Sequence, residues 1–366
     1  MRHPVEMGRA VVVKIGSSSL TTQGGRIDGT AITRVAAEIA GLRRRGHPTV
    51  LVSSGAVAAG LPVLGVTDRP TDVPGLQAAA AVGQSRLIEQ YAGAFASHDL
   101  VVGQVLLTRD VLAGREPHLH ARAAFDRLLS LGVVPIVNEN DTVVVDELRF
   151  GDNDRLAAIV SHLVGAGLLV LLTDTPGLYA HDPRLVAEPE LLSAIRHTDE
   201  VLDELRRGSG AGVYGSGGVA TKVAAARMAA YSGIPTVVTA ASDPEAVRRA
   251  VAGEDVGTWV EPRSTGLSAR KLWIAFSLPA VGILTVDDGA VSAIIRDGRS
   301  LLAAGVSDVQ GDFVRGDAVE VHDDSGRLIG KGLAGIAATT LRDVLGQHTS
   351  VAGGAAVHRD DLIVLA

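Results

Sequence analysis

VVPIVNENDTVVVDELRFGDND, residues Val133–Asp154, joins a strand-like run to a helical one through two clusters of polar side chains. The run Val133–Val137 is short and β-branched, the composition of a strand buried on both faces. Asn138, Glu139, Asn140 and Asp141 follow at once, then a second β-rich run, Thr142–Val145, and a second polar cluster, Asp152, Asn153 and Asp154. A helical pattern starts there, with Leu156, Ile159, Val160 and Leu163 on one face. Ligands of open α/β sheets sit beyond the carboxyl ends of the strands. Two patches of carboxylates and amides at such a place read as a cage for a small polar ligand carrying an ammonium group or a metal. The plainer alternative is a turn at 138–141 and a helix cap at Asp152, but one cap does not require seven polar groups in two patches.

Outward from this stretch, short apolar runs alternate with helical patterns from Ala10 to Val260, as in a mainly parallel sheet covered on both faces. Strands are expected at Ala10–Ile15, Thr49–Val52, Val101–Leu106, Val133–Val137, Leu168–Leu172 and Thr236–Thr239. Helices are expected near Ile32–Leu42, Leu76–Phe95, Leu119–Leu131, Asn153–Leu163, Ala220–Tyr231 and Pro244–Val251. Glu261–Lys271, EPRSTGLSARK, is polar with Pro and Gly and reads as a boundary, giving a first domain over 1–262 and a linker over 263–279. From 280 to 366 the texture is that of a small β-rich domain with little helix. Gly282–Val286, Ser292–Ile295, Ala318–His322 and Leu362–Leu365 are β-like runs between Asp-Asp-Gly, Arg-Asp-Gly and Asp-Asp-Ser-Gly turn signals.

A chain of 366 residues has room for about two domains, each with a sizeable core. Apolar residues make up 46% and aromatics 3%, so the cores are built from Ala, Val, Leu and Ile. The net charge of −7 disfavours a mainly nucleic-acid-binding role. The absence of cysteine excludes disulfides, thiolate chemistry and cysteine zinc sites. MRHPVEMGRA lacks the apolar segment of a signal peptide, and the longest apolar run, Leu163–Leu172, is about half a membrane span with two glycines. A cytoplasmic chain with no membrane segment is the expectation.

Gly208–Lys222, GSGAGVYGSGGVATK, is the second informative stretch: six of the eleven residues from Gly208 to Gly218 are glycine, and a helix begins near Ala220. Glycines let backbone amides approach phosphate oxygens, a helix N-terminus favours anions, and Lys222 in the first turn would lie over the same phosphates. The spacing is neither a Walker A loop nor a Rossmann fingerprint, and a flexible surface loop is the alternative. Lys14 ends an otherwise apolar strand and fits neutralisation of phosphoryl oxygens, or simply an exposed strand end. Ser54 lies at a strand-to-helix turn, where capping is its ordinary use. Thr173-Asp174 follows a strand at its carboxyl end, where a nucleotide could be met. His118 and His120, two apart on a helix, point to different sides and read as surface residues. Two lysines, a glycine cradle and a separate acid-amide cage together suggest phosphoryl transfer to a small cationic substrate.

The motifs KIGSS at Lys14–Ser18, SSGA at Ser53–Ala56, NENDTV, GDND, Leu172-Thr173-Asp174 with Gly177-Leu178-Tyr179, and GSGGVATK occur in this order and resemble the glutamate 5-kinases of the amino acid kinase family over essentially the whole chain. Residues from Gly282 onward, including VHRDD at Val357–Asp361, resemble a PUA domain. The resemblance implies an amino-acid-kinase-like sandwich, ATP-dependent phosphorylation of the L-glutamate γ-carboxylate to glutamyl 5-phosphate as the first step of proline synthesis, a magnesium requirement, inhibition by proline, and a homo-oligomer, dimer or tetramer. It also implies that Lys14 and Lys222 contact ATP phosphates and that Asp154 orients them. Ser54, Asn138, Asp141 and Asn153 become glutamate contacts, with Asp152 bordering the pocket and Asp141 able to pair with the α-ammonium. Thr173, Asp174, Ser216, Gly217, Gly218, Val219, Ala220, Thr221 and Lys222 become the nucleotide site; Val219 stands where many relatives have methionine. No protein metal ligand is expected, magnesium being held by phosphates and water.

Related kinases of that fold act on aspartate, N-acetylglutamate, carbamate or UMP, and the aspartate reading stays open. A second class of reading is RNA binding through the C-terminal domain. There, twelve acidic against seven basic side chains from Ala280 to Ala366 leave an excess of five negative charges, the wrong sign for phosphate.

Overall fold

The computed structural model describes residues 2–22, 24–108, 115–143, 153–181, 183, 186, 188–196, 218–345 and 354–365. The chain divides into two compact units, Met1–Gly266 and Leu267–Ala366.

The first unit carries β1 (Val11–Ile15), β2 (Thr49–Val52), β3 (Val102–Leu107), β4 (Val134–Glu139), β5 (Leu168–Thr173), β6 (Ala194–Arg196), β7 (Thr236–Ala240) and β8 (Thr258–Glu261) in one sheet, ordered β3-β4-β2-β1-β5-β7-β8-β6. All neighbours run parallel except β7 and β8, as the alternation of strand and helix demands of a doubly covered sheet. Its helices among the described residues are α1 (Ser17–Leu20), α2 (Gly29–Arg44), α3 (Ala56–Gly60), α4 (Val73–Ala96), α5 (Arg115–Ser130), α6 (Asn153–Leu163), α7 (Val219–Tyr231) and α8 (Ala246–Val251). Asp28 starts α2 by accepting from Thr30 N at 2.9 Å, and Asp72 starts α4 by accepting from Gly75 N at 2.8 Å.

Every residue of β1 and β5 is buried. Val11, Val13 and Ile15 enter one core with Ile32, Val35 and Ile39 of α2, Leu87 and Tyr91 of α4 and Val247 of α8. Alternation along the strand then sends Lys14 to the opposite face, where α6 packs on β1 and α7 packs on α6. The strand order moves outward from β1 to β2, β4 and β3, and outward on its other side to β5, β7, β8 and β6. The carboxyl ends of β1, β2, β4 and β5 therefore surround a topological switch point, where open α/β sheets hold ligands.

Several expectations need correction. β6 and β8 are not among the expected strands; Ala194–Arg196 is a strand because it pairs with β8, and Thr258–Glu261 because it pairs with both β6 and β7. Asn138 and Glu139 belong to β4 rather than following it. Thr142 and Val143 form a turn rather than a strand, with Thr142 Oγ1 donating to Asn140 Oδ1 at 2.7 Å; residues 144–152 lie outside the described ones.

The second unit opens with α9 (Ala269–Leu272), capped by Ser268 accepting from Lys271 N at 3.4 Å, and a π-helical turn, Trp273–Ser277. These lie inside the stretch expected as linker, and Leu272 and Ile274 are buried. Its sheet, ordered β10-β14-β13-β12-β9-β11, comprises β9 (Gly282–Val286), β10 (Leu301–Leu302), β11 (Val306–Gly311), β12 (Ala318–Asp323), β13 (Leu328–Ala334) and β14 (Ala355–Val364). Leu284, Val286, Val319, Val321 and Ile329 are central to its core. Ser292–Ile295, expected as a strand, is instead the end of α10 (Asp288–Ile295). Asp287 accepts from Ala290 N at 2.7 Å, so the Asp-Asp-Gly read as a hairpin turn is a helix cap. A further helix, α11 (Ala338–Asp343), follows β13. No helix among the described residues is long and apolar enough to cross a membrane.

Candidate active site

Lys14 is the fourth residue of β1, and Asp154 is the second residue of α6, where the helix N-terminus favours an anion. Asp154 is fully buried and Lys14 is 2% exposed, with Lys14 Nζ 2.5 Å from Asp154 Oδ1. From the first turn of α7, Lys222 brings Nζ to 3.4 Å from Asp154 Oδ2, and Thr221 Oγ1 donates to the same oxygen at 2.7 Å. Burial pushes the Asp154 carboxyl up, but the charges of Lys14 and Lys222 and hydrogen bonds from Lys14 and Thr221 outweigh it, holding the pKa at about 2. Two ammonium groups share one carboxylate, and their one net positive charge is the sign an incoming phosphoryl group requires.

Asn153 precedes Asp154, so the same helix start serves a second cluster. Its Nδ2 donates to Ser53 O at 2.5 Å and to Asn138 Oδ1 at 2.5 Å, and lies 3.4 Å from Ser54 Oγ. Ser53 O can only accept, which fixes the orientation of the Asn153 amide. Asn138 Oδ1 also accepts from Glu139 N at 3.0 Å, which fixes the other. One buried donor, Asn138 Nδ2, and one buried acceptor, Asn153 Oδ1, are left without a hydrogen bond among the described residues. A buried amide pair with one donor and one acceptor spare is set to take a ligand with both kinds of group.

The Ser53-Ser54 turn is held from behind. Tyr91 of α4 is fully buried with its hydroxyl 2.8 Å from Ser53 Oγ, while Ser53 Oγ donates to Ser54 O at 3.1 Å. Gly55, at φ +94°, takes a left-handed conformation before α3 begins. α3 then meets α4 backbone to backbone: a Cβ on Gly60 would lie 1.9 Å from Ala79 O, and one on Gly83 would lie 1.7 Å from Ala56 O. Ser53 and Tyr91 were not singled out in the sequence. Leu87, Tyr91 and Phe95 lie four apart on α4 and are buried, and the phenol among them is the signal in the sequence, since a buried hydroxyl needs a partner.

On the other side, Thr173 ends β5 and turns its hydroxyl to Asp174 Oδ1 at 2.9 Å, with Asp174 exposed. Gly218 is the N-cap of α7, followed by Val219, Ala220 and Thr221 in the first turn. Asp141 sits half-buried in the turn after β4. The structure thus gathers Lys14, Asp154, Thr221 and Lys222 in one cluster and Ser54, Asn138 and Asn153 in the next. Asp152, Ser216 and Gly217 lie outside the described residues.

His118 is not the surface residue expected: it is half-buried, its ring centroid 5.8 Å from that of His162 on α6, whereas His120 is exposed. Burial, then His118 and Arg122, pull the His162 pKa down to about 4. Among the described residues no three metal-ligating side chains converge. Asp154 does not fit as a ligand for a divalent cation, because both its oxygens face ammonium groups.

The amino acid kinase family model matches residues 9–240, and the PUA domain model matches 282–351. The chain is 46% identical over 373 residues to a glutamate 5-kinase of Marinomonas sp. (strain MWYL1), covering 100% of both chains. It is 47% identical to one of Myxococcus xanthus (strain DK1622), covering 100% of this chain and 98% of the relative, and 46% identical to one of Frankia casuarinae, covering 100% and 99%. Among solved structures, a UMP kinase from Bacillus anthracis superimposes with a TM-score of 0.51 at 16% identity, covering 71% of this chain and 98% of that one, a likeness of fold.

Proposed function

This chain belongs to the amino acid kinase family, with a PUA domain after the kinase domain, and from that membership we propose that it transfers the γ-phosphoryl group of ATP to the γ-carboxylate of L-glutamate, giving glutamyl 5-phosphate for proline synthesis. The observation that carries this reading is the fully buried Asp154 between Lys14 and Lys222, one residue along α6 from Asn153, whose amide bonds that of Asn138 on β4. Phosphate-directed charge and an amino-acid-sized polar cluster are thereby fixed to the same helix start.

A glutamate γ-carboxylate is ionised near neutral pH, so it attacks without a general base. One carboxylate oxygen forms a bond to the γ-phosphorus, the bond from that phosphorus to the β–γ bridging oxygen breaks, and ADP leaves with the electron pair; no proton moves. Lys14 and Lys222 would neutralise charge on the transferring oxygens, and Asp154 would keep both ammonium groups aimed there. Ser54, Asn138 and Asn153 would hold the glutamate, Asp152 would border the pocket, and Asp141 would pair with the α-ammonium. Thr173, Asp174 and the backbone of 216–222 would hold the nucleotide. Magnesium would travel on the phosphates and water, supplying charge neutralisation there.

The test is ATP- and magnesium-dependent acyl phosphate formation, trapped with hydroxylamine as the hydroxamate, with glutamate, aspartate and N-acetylglutamate side by side. Glutamate-only turnover supports the reading; turnover with aspartate moves the substrate and keeps the family. Inhibition by proline and a dimeric or tetrameric assembly belong to the same proposal, checked by adding proline to that assay and by light scattering. RNA binding by the PUA unit is the second reading, favoured by the domain match and opposed by its excess of acidic side chains. A salt-sensitive gel shift with structured RNA would reverse that balance.

A further inference from the structure

The Thr221 hydroxyl has one proton and two acceptors within reach: Asp154 Oδ2 at 2.7 Å and Gly218 O at 2.9 Å. It can donate to only one at a time, and the carboxylate is the stronger acceptor. Gly218 is the residue at which the glycine-rich stretch enters α7, and its own side of the cap carries no side-chain hydrogen bond. Asp154 lies beside Asn153 at the start of α6. A single hydroxyl therefore joins the place where the nucleotide stretch meets α7 to the place where the amino-acid cluster meets α6. Its contact with Oδ2 is also shorter than that of Lys222, 2.7 against 3.4 Å, so Thr221 fixes the carboxylate oxygen toward which the neighbouring ammonium is directed.

We propose that Thr221 is a positioning residue: its hydroxyl, through Asp154 Oδ2, sets where Lys222 stands and locks the start of α7 to the start of α6, so that the phosphate-facing and amino-acid-facing clusters keep one alignment. The proposal rests on the kinase reading above, and on side-chain chemistry rather than on the backbone amide that a nucleotide-binding turn would use. A methyl in place of the hydroxyl keeps the volume and removes the link. Asp154 then retains both lysines but loses the shorter of the two hydrogen bonds to its second oxygen.

Thr221→Val, Thr221→Ala and Thr221→Ser are compared with the wild type in the hydroxylamine assay, with thermal melting as the check of folding and calorimetric titration with ATP and magnesium as a readout that needs no acceptor. Loss of a hydrogen bond to a charged group predicts a fall in kcat of about ten- to a hundredfold for Val and Ala. The glutamate KM stays within about threefold, ATP affinity weakens severalfold, and Ser stays within about threefold of wild type throughout. Val and Ala with wild-type kcat and ATP affinity overturn the proposal, as does a Ser variant as impaired as Val, which would make the methyl and not the hydroxyl the active feature. Should Val melt below the assay temperature, Ala against Ser decides. If the wild type makes no hydroxamate from glutamate, the reaction assignment fails by itself, and the calorimetric contrast between Val and Ser still decides the role of Thr221.

Discussion

Asp154 and Glu38 are two carboxylates of the first unit withdrawn from solvent, one at the carboxyl ends of the strands and one at the seam between α2 and α8. Asp154 meets two ammonium groups and a hydroxyl, and its pKa is held at about 2 against its burial. Glu38 is pushed up to about 7 by burial, opposed by a hydrogen bond from Val247 N at 2.9 Å, and raised further by Asp243 and Glu245. Arg34 offsets this only in part. Burial acts the same way on both; the neighbours decide the outcome. At the strand ends the chain gathers cations around one anion and so creates a charged centre. At the helix seam it gathers acids and obtains a group that takes up a proton. The two shifts have opposite signs, and only the one at the strand ends comes with charge of the opposite sign brought to the group.

Asp154 should be the most sensitive position. Asp154→Asn keeps the shape and removes the charge, leaving Lys14 and Lys222 without their shared counterion. Turnover in the hydroxamate assay should fall about a thousandfold or more, with a lower melting temperature. A kcat within tenfold of wild type would mean the cations need no anion to organise them. The neighbouring cluster should respond differently: Asn153→Ala should raise the glutamate KM about ten- to a hundredfold and leave the ATP KM within about threefold, measured by initial rates. Tyr91→Phe, one step further back, should raise the glutamate KM roughly threefold to tenfold and cost about 1 kcal/mol in urea unfolding.

The smallest effect sharpens the pH contrast. Asp154 binds its proton less tightly in the native state than in the unfolded chain, so its stabilisation is present above about pH 4 and is lost as pH falls toward 2. Glu38 has the opposite sign: its contribution is complete below about pH 4.5 and is lost as pH rises through 7. Glu38→Gln, which keeps an acceptor for Val247 N, should therefore melt a few degrees higher than wild type at pH 8 and together with it at pH 5. Equal melting at both values would show that the seam relieves its acids in some other way.

The alternation of strand and helix was legible because β1, β2, β4 and β5 are buried on both faces and so appear as mostly apolar runs. Lys14 stood out as the charge inside the first of them. The rest was hidden where one pattern serves two structures. Ala194–Arg196 is three residues long and becomes a strand only by pairing with β8. Asp287-Asp288-Gly289 suits a hairpin or a helix start equally well, since both use the same carboxylate to accept a backbone N–H. Tyr91 and His162 sit at helical core spacing, and nothing local tells a satisfied core hydroxyl or imidazole from an apolar neighbour. The Thr221 hydroxyl belonged to a stretch whose glycines drew all attention to the backbone.

The seam between α3 and α4 has a mechanical consequence. Where Gly60 and Gly83 meet there is no layer of side chains to compress or re-rotamerise, only two main chains in contact. The spacing of the two helices is fixed there by main-chain contact, with Ala56, Val57, Ala79 and Ala80 packed in one cluster beside it. Tyr91 on this 24-residue helix reaches Ser53, the residue before Ser54, so a shift of α4 would be passed to the turn that carries the serine.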